Sequence, residues 1–138
     1  ESCKKLRIGK GSILREGSDV AIIACGVMVS EAIRAAEELS KNGVESTVVD
    51  MHTIKPLDTE LIDELVQECK GIVTAEDHSV IGGLGSAVSE HVSYRGGVPI
   101  RMVGVSDRFG ESGEPGELMN LMGITYGDIV DSCESLLS

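Results

Sequence analysis

Residues 19–25 read DVAIIAC, a continuous apolar run that ends at Gly26. An uninterrupted run of this length is typical of a strand that is buried on both faces of a parallel sheet. The apolar residues that come next have the spacing of an amphipathic helix; they are Val29, Ala32, Ile33, Ala36 and Leu39. The stretch therefore predicts a strand followed by a helix that packs back onto the sheet.

The same alternation of strand and helix continues along the chain. Further apolar runs at 46–51, 71–75 and 99–105 predict three more buried strands. Residues with helical spacing follow each run. These helices are predicted to begin at Asp58, at the glycines 82–85, at Pro115 and at Thr125. Four buried strands joined by helices require a parallel sheet with right-handed crossovers and helices on both faces.

The opening segment, Leu6 to Ser18, differs from this pattern because glycines interrupt it and half of its residues are polar. It predicts an edge strand that enters the next strand through a tight turn at Glu16-Gly17, and that is therefore antiparallel to its neighbour. We predict one α/β domain over residues 1–138. It is a three-layer α/β/α sandwich around a five-stranded, mostly parallel sheet with one antiparallel edge strand.

Length and charge limit the possible functions. A chain of 138 residues with 41% hydrophobic residues fits one globular domain. The net charge of −11 repels nucleic-acid phosphates and anionic lipids, so we expect neither a nucleic acid nor a membrane as a partner. No apolar run approaches the roughly 20 residues that span a bilayer.

The four cysteines do not have the spacing of a metal site or a redox motif. Cys25, Cys69 and Cys133 lie inside apolar patterns, which favours buried, reduced thiols in a cytoplasmic protein. The chain begins with Glu1 rather than Met, which fits either a processed terminus or a piece of a longer protein.

The glycines that precede the third long helix resemble a dinucleotide-binding fingerprint. Gly82, Gly83 and Gly85 lead into the helix, and Asp107 follows about twenty residues later. Three features oppose that interpretation. Val88 stands where the last glycine is expected, a polar turn at 76–80 separates the strand from the glycines, and the carboxylates in that turn repel a pyrophosphate. The alternative is that the glycines allow the start of the helix to pack closely against another backbone, within the domain or across an interface.

Titratable residues gather in the loops that follow the strands, where open α/β sheets carry their function. Glu76, Asp77 and His78 could serve acid–base chemistry or a metal, but adjacent turn residues point in different directions, which favours a partner-facing or capping turn. His91 lies on an apolar helix face and is predicted to be packed, whereas His52 fits either role. The motifs GxSxG and HExxH and the P-loop are absent. We therefore assign no catalytic, cofactor-binding or metal-ligating residue.

Eight stretches, spread in order over nearly the whole chain, resemble one known domain. They are IGKG at 8–11, REGSDV at 15–20, ACG at 24–26, DMHTIKPLD at 50–58, TAEDH at 74–78, GGLGSAV at 82–88, DRFGESG at 107–113 and GIT at 123–125. Together they resemble the C-terminal domain of transketolase. They are less similar to the same domain of 1-deoxy-D-xylulose-5-phosphate synthase and of 2-oxo acid dehydrogenase beta subunits.

The resemblance implies an accessory role in a larger enzyme. The full transketolases are dimers of the pentose phosphate pathway that use thiamine diphosphate and Mg²⁺ to transfer two-carbon ketol units between sugar phosphates. The domains that bind the cofactor have no counterpart in this sequence, so the resemblance implies no catalytic residue and no activity of the chain alone. Its partners would be the remaining transketolase domains or a separate N-terminal subunit, in a homodimer of the full enzyme.

We expect the loops at 76–85 and 107–113 to face the pyrimidine-binding domain or the dimer partner. The candidate interface residues are Glu76, Asp77, His78, Gly82, Gly83, Gly85, Asp107, Phe109 and Gly110. Two other interpretations stay open: an independent dinucleotide-binding module, and a docking domain of an oxo-acid dehydrogenase that helps to hold an acyltransferase.

Overall fold

The computed structural model describes residues 10–52, 56–79, 83–105 and 125–138, without the side chains of residues 77–79 and 105. Five strands and four helices lie within these ranges. The strands are β1 (Ser12–Arg15), β2 (Val20–Ala24), β3 (Ser46–Asp50), β4 (Ile72–Ser79) and β5 (Ile100–Val105). The helices are α1 (Met28–Lys41), α2 (Thr59–Glu68), α3 (Leu84–Arg95) and α4 (Tyr126–Leu137).

The strands form one sheet in the order β1-β3-β2-β4-β5. β1 pairs with β3 in the antiparallel direction, and the other three pairs are parallel. The predicted five-stranded sheet with one antiparallel edge strand is therefore confirmed. None of the helices in the described ranges is both long and apolar enough to cross a bilayer.

Strand β2 supplies residues to both cores of the domain, because successive side chains of a strand point to opposite faces. Val20, Ile22 and Ala24 pack in a cluster with α1 and α4. Ala21 and Ile23 pack in a second cluster with α2 and α3. All five residues are 0% exposed, which confirms that the DVAIIAC run is a strand buried on both faces.

Two predicted helix caps are confirmed. Asp58 Oδ1 accepts the N–H of Leu61 at 3.2 Å, and this carboxylate also accepts the N–H of Gly11 at 2.8 Å, so it joins the start of α2 to the segment before β1. Thr125 and Asp128 form a capping box at the start of α4. The carboxylate of Glu31 on α1 accepts the N–H of Tyr126 at 2.9 Å, which fixes α4 against α1.

The structure departs from the sequence prediction at β1 and at β4. β1 covers only Ser12–Arg15 of the predicted strand from Leu6 to Ser18, and residues 1–9 lie outside the described ranges. The polar turn predicted at 76–80 is wrong over residues 76–79, because β4 continues to Ser79. After an irregularity in register, Ser79 pairs with Val105 of β5, so backbone pairing keeps these polar residues in the sheet. The helix predicted at 115–122 lies outside the described ranges.

The described cysteines match the prediction of buried thiols in part. Cys69 and Cys133 are buried, and Cys25 is half-buried. None of these three forms a disulfide.

We expect Gly17→Ala to destabilise the domain, because the turn between β1 and β2 lies against the start of β3. A Cβ atom on Gly17 would lie 2.5 Å from the backbone carbon of Glu45 and from the backbone nitrogen of Ser46, and a backbone cannot move aside as a flexible side chain can. Overpacking of this kind costs about 1–3 kcal/mol of the free energy of unfolding, which urea titration would measure.

Gly127→Ala is the matched control for this prediction. A Cβ atom on Gly127, within α4, would meet only Thr125 Oγ1 at 3.7 Å. Alanine is the better helix former, so this variant should be as stable as the wild type or more stable by up to about 1 kcal/mol. Equal free energies of unfolding for the two variants would contradict the close contact between Gly17 and the backbone of Glu45 and Ser46.

The thiol of Cys133 should make the domain less stable at alkaline pH. Burial, and to a smaller extent the charge of Glu134, raises the pKa of Cys133 from 9.0 to about 12. Between these values the unfolded chain loses a proton that the folded chain keeps, so the free energy of unfolding falls as pH rises. Relative to Cys133→Ala, the wild type should lose up to about 1.4 kcal/mol per pH unit above pH 9. Parallel pH profiles of the two proteins, from urea unfolding at pH 8 to 10, would contradict this expectation.

Candidate functional site

The carboxyl ends of the central strands lie at one edge of the sheet. Their backbones are joined there: the N–H of Cys25 donates to the carbonyl of Ala75 at 3.2 Å, and the N–H of Met51 donates to the carbonyl of Ala24 at 2.8 Å. Glu76 follows Ala75 at this level of β4. The edge predicted to carry function is therefore assembled from β2, β3 and β4.

Glu76 is the best-defined polar residue at this edge. Its side chain is buried, with 1% exposure. Oε1 accepts the N–H of Leu84 and Oε2 accepts the N–H of Gly85, both at 2.7 Å. These are the first two residues of α3, whose N–H groups have no partner within the helix. The carboxylate satisfies both groups and lies at the positive end of the helix dipole.

Gly85 allows the start of α3 to pack closely onto the sheet. Gly83 is the N-cap residue and provides no side-chain cap. A Cβ atom on Gly85 would lie 2.6 Å from Met102 Sδ and 3.0 Å from Thr74 Oγ1. The close neighbours of Gly85 are thus side chains of β5 and β4.

Because Glu76 occupies the N–H groups of Leu84 and Gly85, the first turn of α3 is closed to a phosphate. A nucleotide pyrophosphate at this turn would have to displace the carboxylate and would meet its negative charge. The sequence showed that Glu76 lies close to the glycines along the chain. It did not reveal that the side chain of Glu76 bonds to α3, the helix that follows those glycines. This geometry argues against the dinucleotide-binding interpretation.

The other predicted site residues are placed only in part. Asp77 and His78 belong to β4, but the structure describes only their backbone. Gly82, Asp107, Phe109 and Gly110 lie outside the described ranges altogether.

The described histidines and carboxylates do not come together as a metal centre. No group of three or more His, Cys, Asp or Glu side chains in the described ranges is arranged to hold an ion. Nε2 of His91 lies 2.8 Å from Oδ1 of Asp63, so His91 links α3 to α2. Arg95 Nη2 lies 3.8 Å from the other oxygen of Asp63 and reinforces the same contact.

One surface feature of this edge was missed by the sequence interpretation. Val27, in the turn that begins α1, is 67% exposed. The turn needs Gly26, whose φ is 65°, so the chain reverses directly after β2 and presents the next side chain to solvent. The apolar residue directly after a glycine at the end of a strand was the signal available in the sequence.

A groove lies away from this edge, between β1 and α2, with a volume of about 480 Å³. Ile13, Leu61 and Leu65 contribute its apolar lining, and Glu16, Glu64 and Glu68 contribute carboxylates. Ser18 and Thr47 also line the groove, and the Thr47 hydroxyl is bonded to the backbone of Gly17.

Comparison with known proteins identifies the family. The family model described as the C-terminal domain of transketolase matches residues 9–129. A 6-deoxy-6-sulfo-D-fructose transketolase subunit of Clostridium sp. (strain MSTE9) is 48% identical over 123 residues, which are 89% of this chain and 38% of that protein. The 1-deoxy-D-xylulose-5-phosphate synthase of Trichormus variabilis is 43% identical over 132 residues, which are 95% of this chain and 21% of the synthase.

A solved structure shows the same architecture. A split-gene transketolase, described as an inactive β4 tetramer, superposes with a TM-score of 0.89 and 44% identity over 97% of this chain and 44% of its own. The chain thus spans less than half the length of each of these relatives. The resemblance found in the sequence motifs is confirmed, and the chain belongs to the family of transketolase C-terminal domains.

Proposed function

We propose that this chain is the C-terminal accessory domain of a transketolase, a thiamine diphosphate-dependent enzyme that transfers two-carbon ketol units between sugar phosphates. The observation that carries the proposal is the 48% identity to a transketolase subunit over 89% of the chain. The geometry agrees with an accessory role at one residue, because the buried carboxylate of Glu76 bonds to the start of α3 within the domain itself. The domain supports assembly and is not catalytic alone.

The described residues do not fit thiamine diphosphate or Mg²⁺. The first turn of α3, which a diphosphate could otherwise use, is bonded to Glu76. The metal would need oxygen ligands that converge on one point, and no three acidic, histidine or cysteine side chains in the described ranges do so. We therefore place the cofactor on other domains of the enzyme.

The carboxyl edge of the sheet is the proposed contact surface. Its partners would be the remaining transketolase domains or a separate N-terminal subunit, within a homodimer of the full enzyme. Two of the predicted interface residues, Glu76 and Gly85, are buried within the domain and would support this surface from behind. The remaining candidate residues and the exposed Val27 would lie in the contact itself. A cytoplasmic location agrees with the three described cysteines, none of which forms a disulfide. The pentose phosphate pathway is the pathway that the resemblance to transketolase implies.

We expect the isolated chain to catalyse no ketol transfer, and the activity to appear when it is mixed with the companion polypeptide that carries the cofactor-binding domains. The measurement is two-carbon transfer between sugar phosphates in the presence of thiamine diphosphate and Mg²⁺. The companion polypeptide alone is the control. Activity of the companion that does not rise on addition of this chain would contradict the proposal.

Further assays with the companion polypeptide distinguish a transketolase from the related thiamine diphosphate enzymes. Formation of 1-deoxy-D-xylulose 5-phosphate would assign the domain to the synthase, to which the Trichormus protein belongs by name. Binding to an acyltransferase without ketol transfer would assign it to an oxo-acid dehydrogenase.

Thermal unfolding of the isolated chain should be unaffected by NAD, by ATP, or by thiamine diphosphate with Mg²⁺. A ligand that binds only the folded form raises the midpoint by mass action, so the absence of a shift at millimolar ligand excludes tight binding. A shift with NAD or ATP would establish a nucleotide site and contradict the closed first turn of α3.

A further inference from the structure

The residue that caps α3 lies farther from its helix in the sequence than the residues that cap α2 and α4. Asp58 and Thr125 cap α2 and α4 from the position directly before each helix. α3 has Gly83 at that position, and its carboxylate comes from Glu76, eight residues before Leu84. A local cap satisfies helix N–H groups, whereas a cap from the preceding strand also fixes where the helix starts relative to that strand.

The charge of Glu76 makes this arrangement costly. The side chain is 1% exposed, and no cation pairs with it among the described residues. A buried carboxylate is tolerated only when hydrogen bonds and local dipoles replace its hydration, and here the two helix N–H groups provide both. A serine at the N-cap would stabilise the helix without burying a charge. The carboxylate therefore contributes geometry that a local cap would not.

We propose that Glu76 is a positioning residue for the contact between this domain and the polypeptide that carries the cofactor-binding domains. By holding Leu84 and Gly85 to β4, it sets the position of the first turn of α3 at the carboxyl edge. Gly85 allows that position, because a side chain there would meet Met102 and Thr74. The inference rests on the proposed function, since it requires such a partner polypeptide.

Glu76→Gln tests the proposal. The amide keeps the size of the side chain but replaces one acceptor oxygen by an NH₂ group, which would face a helix N–H. The measurement is the dissociation constant of the complex with the companion polypeptide, at a temperature where every variant is folded. We expect it to rise by about tenfold, because a first turn of α3 that is no longer held to β4 would have to be ordered on binding.

Leu136→Ala is the matched control, because it lowers stability away from the contact. Leu136 is buried near the end of α4, beside Gly71 at the opposite edge of the sheet. This variant should lower the unfolding midpoint and leave the dissociation constant unchanged. Equal weakening of the complex by both variants, or an unchanged dissociation constant for Glu76→Gln, would overturn the positioning role.

Glu76→Asp keeps the charge at the helix terminus but is one methylene too short to reach both N–H groups. It should retain more stability than the glutamine variant and still weaken the complex, so it decides the question if Glu76→Gln does not fold. A wild-type dissociation constant for Glu76→Asp would then overturn the proposal. Failure of the wild-type chain to bind the companion is a different result, because it contradicts the proposed function itself.

Discussion

Strand β2 has no exposed residue, and the rest of the domain follows from the need to cover both of its faces. One face requires α1 and α4, and the other requires α2 and α3. Its two edges require β3 and β4, which pair with it in parallel. Parallel neighbours must be reached by crossovers, and each crossover supplies one of the covering helices. A single apolar run thereby specifies the three layers.

The acidic composition contributes to this architecture through the helix termini. Carboxylates of Asp58 and Glu76 accept N–H groups in the first turns of α2 and α3. At α4, Asp128 accepts the N–H of the N-cap residue Thr125, and Glu31 accepts the N–H of Tyr126. Each negative charge lies at the positive end of a helix dipole. Part of the net charge of −11 therefore has a structural role.

The sequence predicted the elements that depend on local pattern. The buried run of β2 and the caps at Asp58 and Thr125 were recognisable because burial and capping leave regular spacings. The contacts of Glu76 were not predictable, because its partners lie eight and nine residues away and their distance depends on how β4 ends. The polar residues after Ala75 suggested a turn, but pairing with β5 maintains the strand to Ser79. Long-range pairing overrode local composition at the place where the candidate contact surface begins.

The strand order has a consequence for how the chain folds. Val20 pairs with Ser46, 26 residues later, and Ala21 pairs with Ile72, 51 residues later. During synthesis β2 emerges well before either of its partners, and the most apolar strand of the sheet stays unpaired until β3 and then β4 follow. Non-local parallel pairing of this kind is slow, and an unpaired apolar strand can associate with other chains in the meantime. The strand that organises the native domain is thus also the segment most exposed to misassembly before the domain is complete.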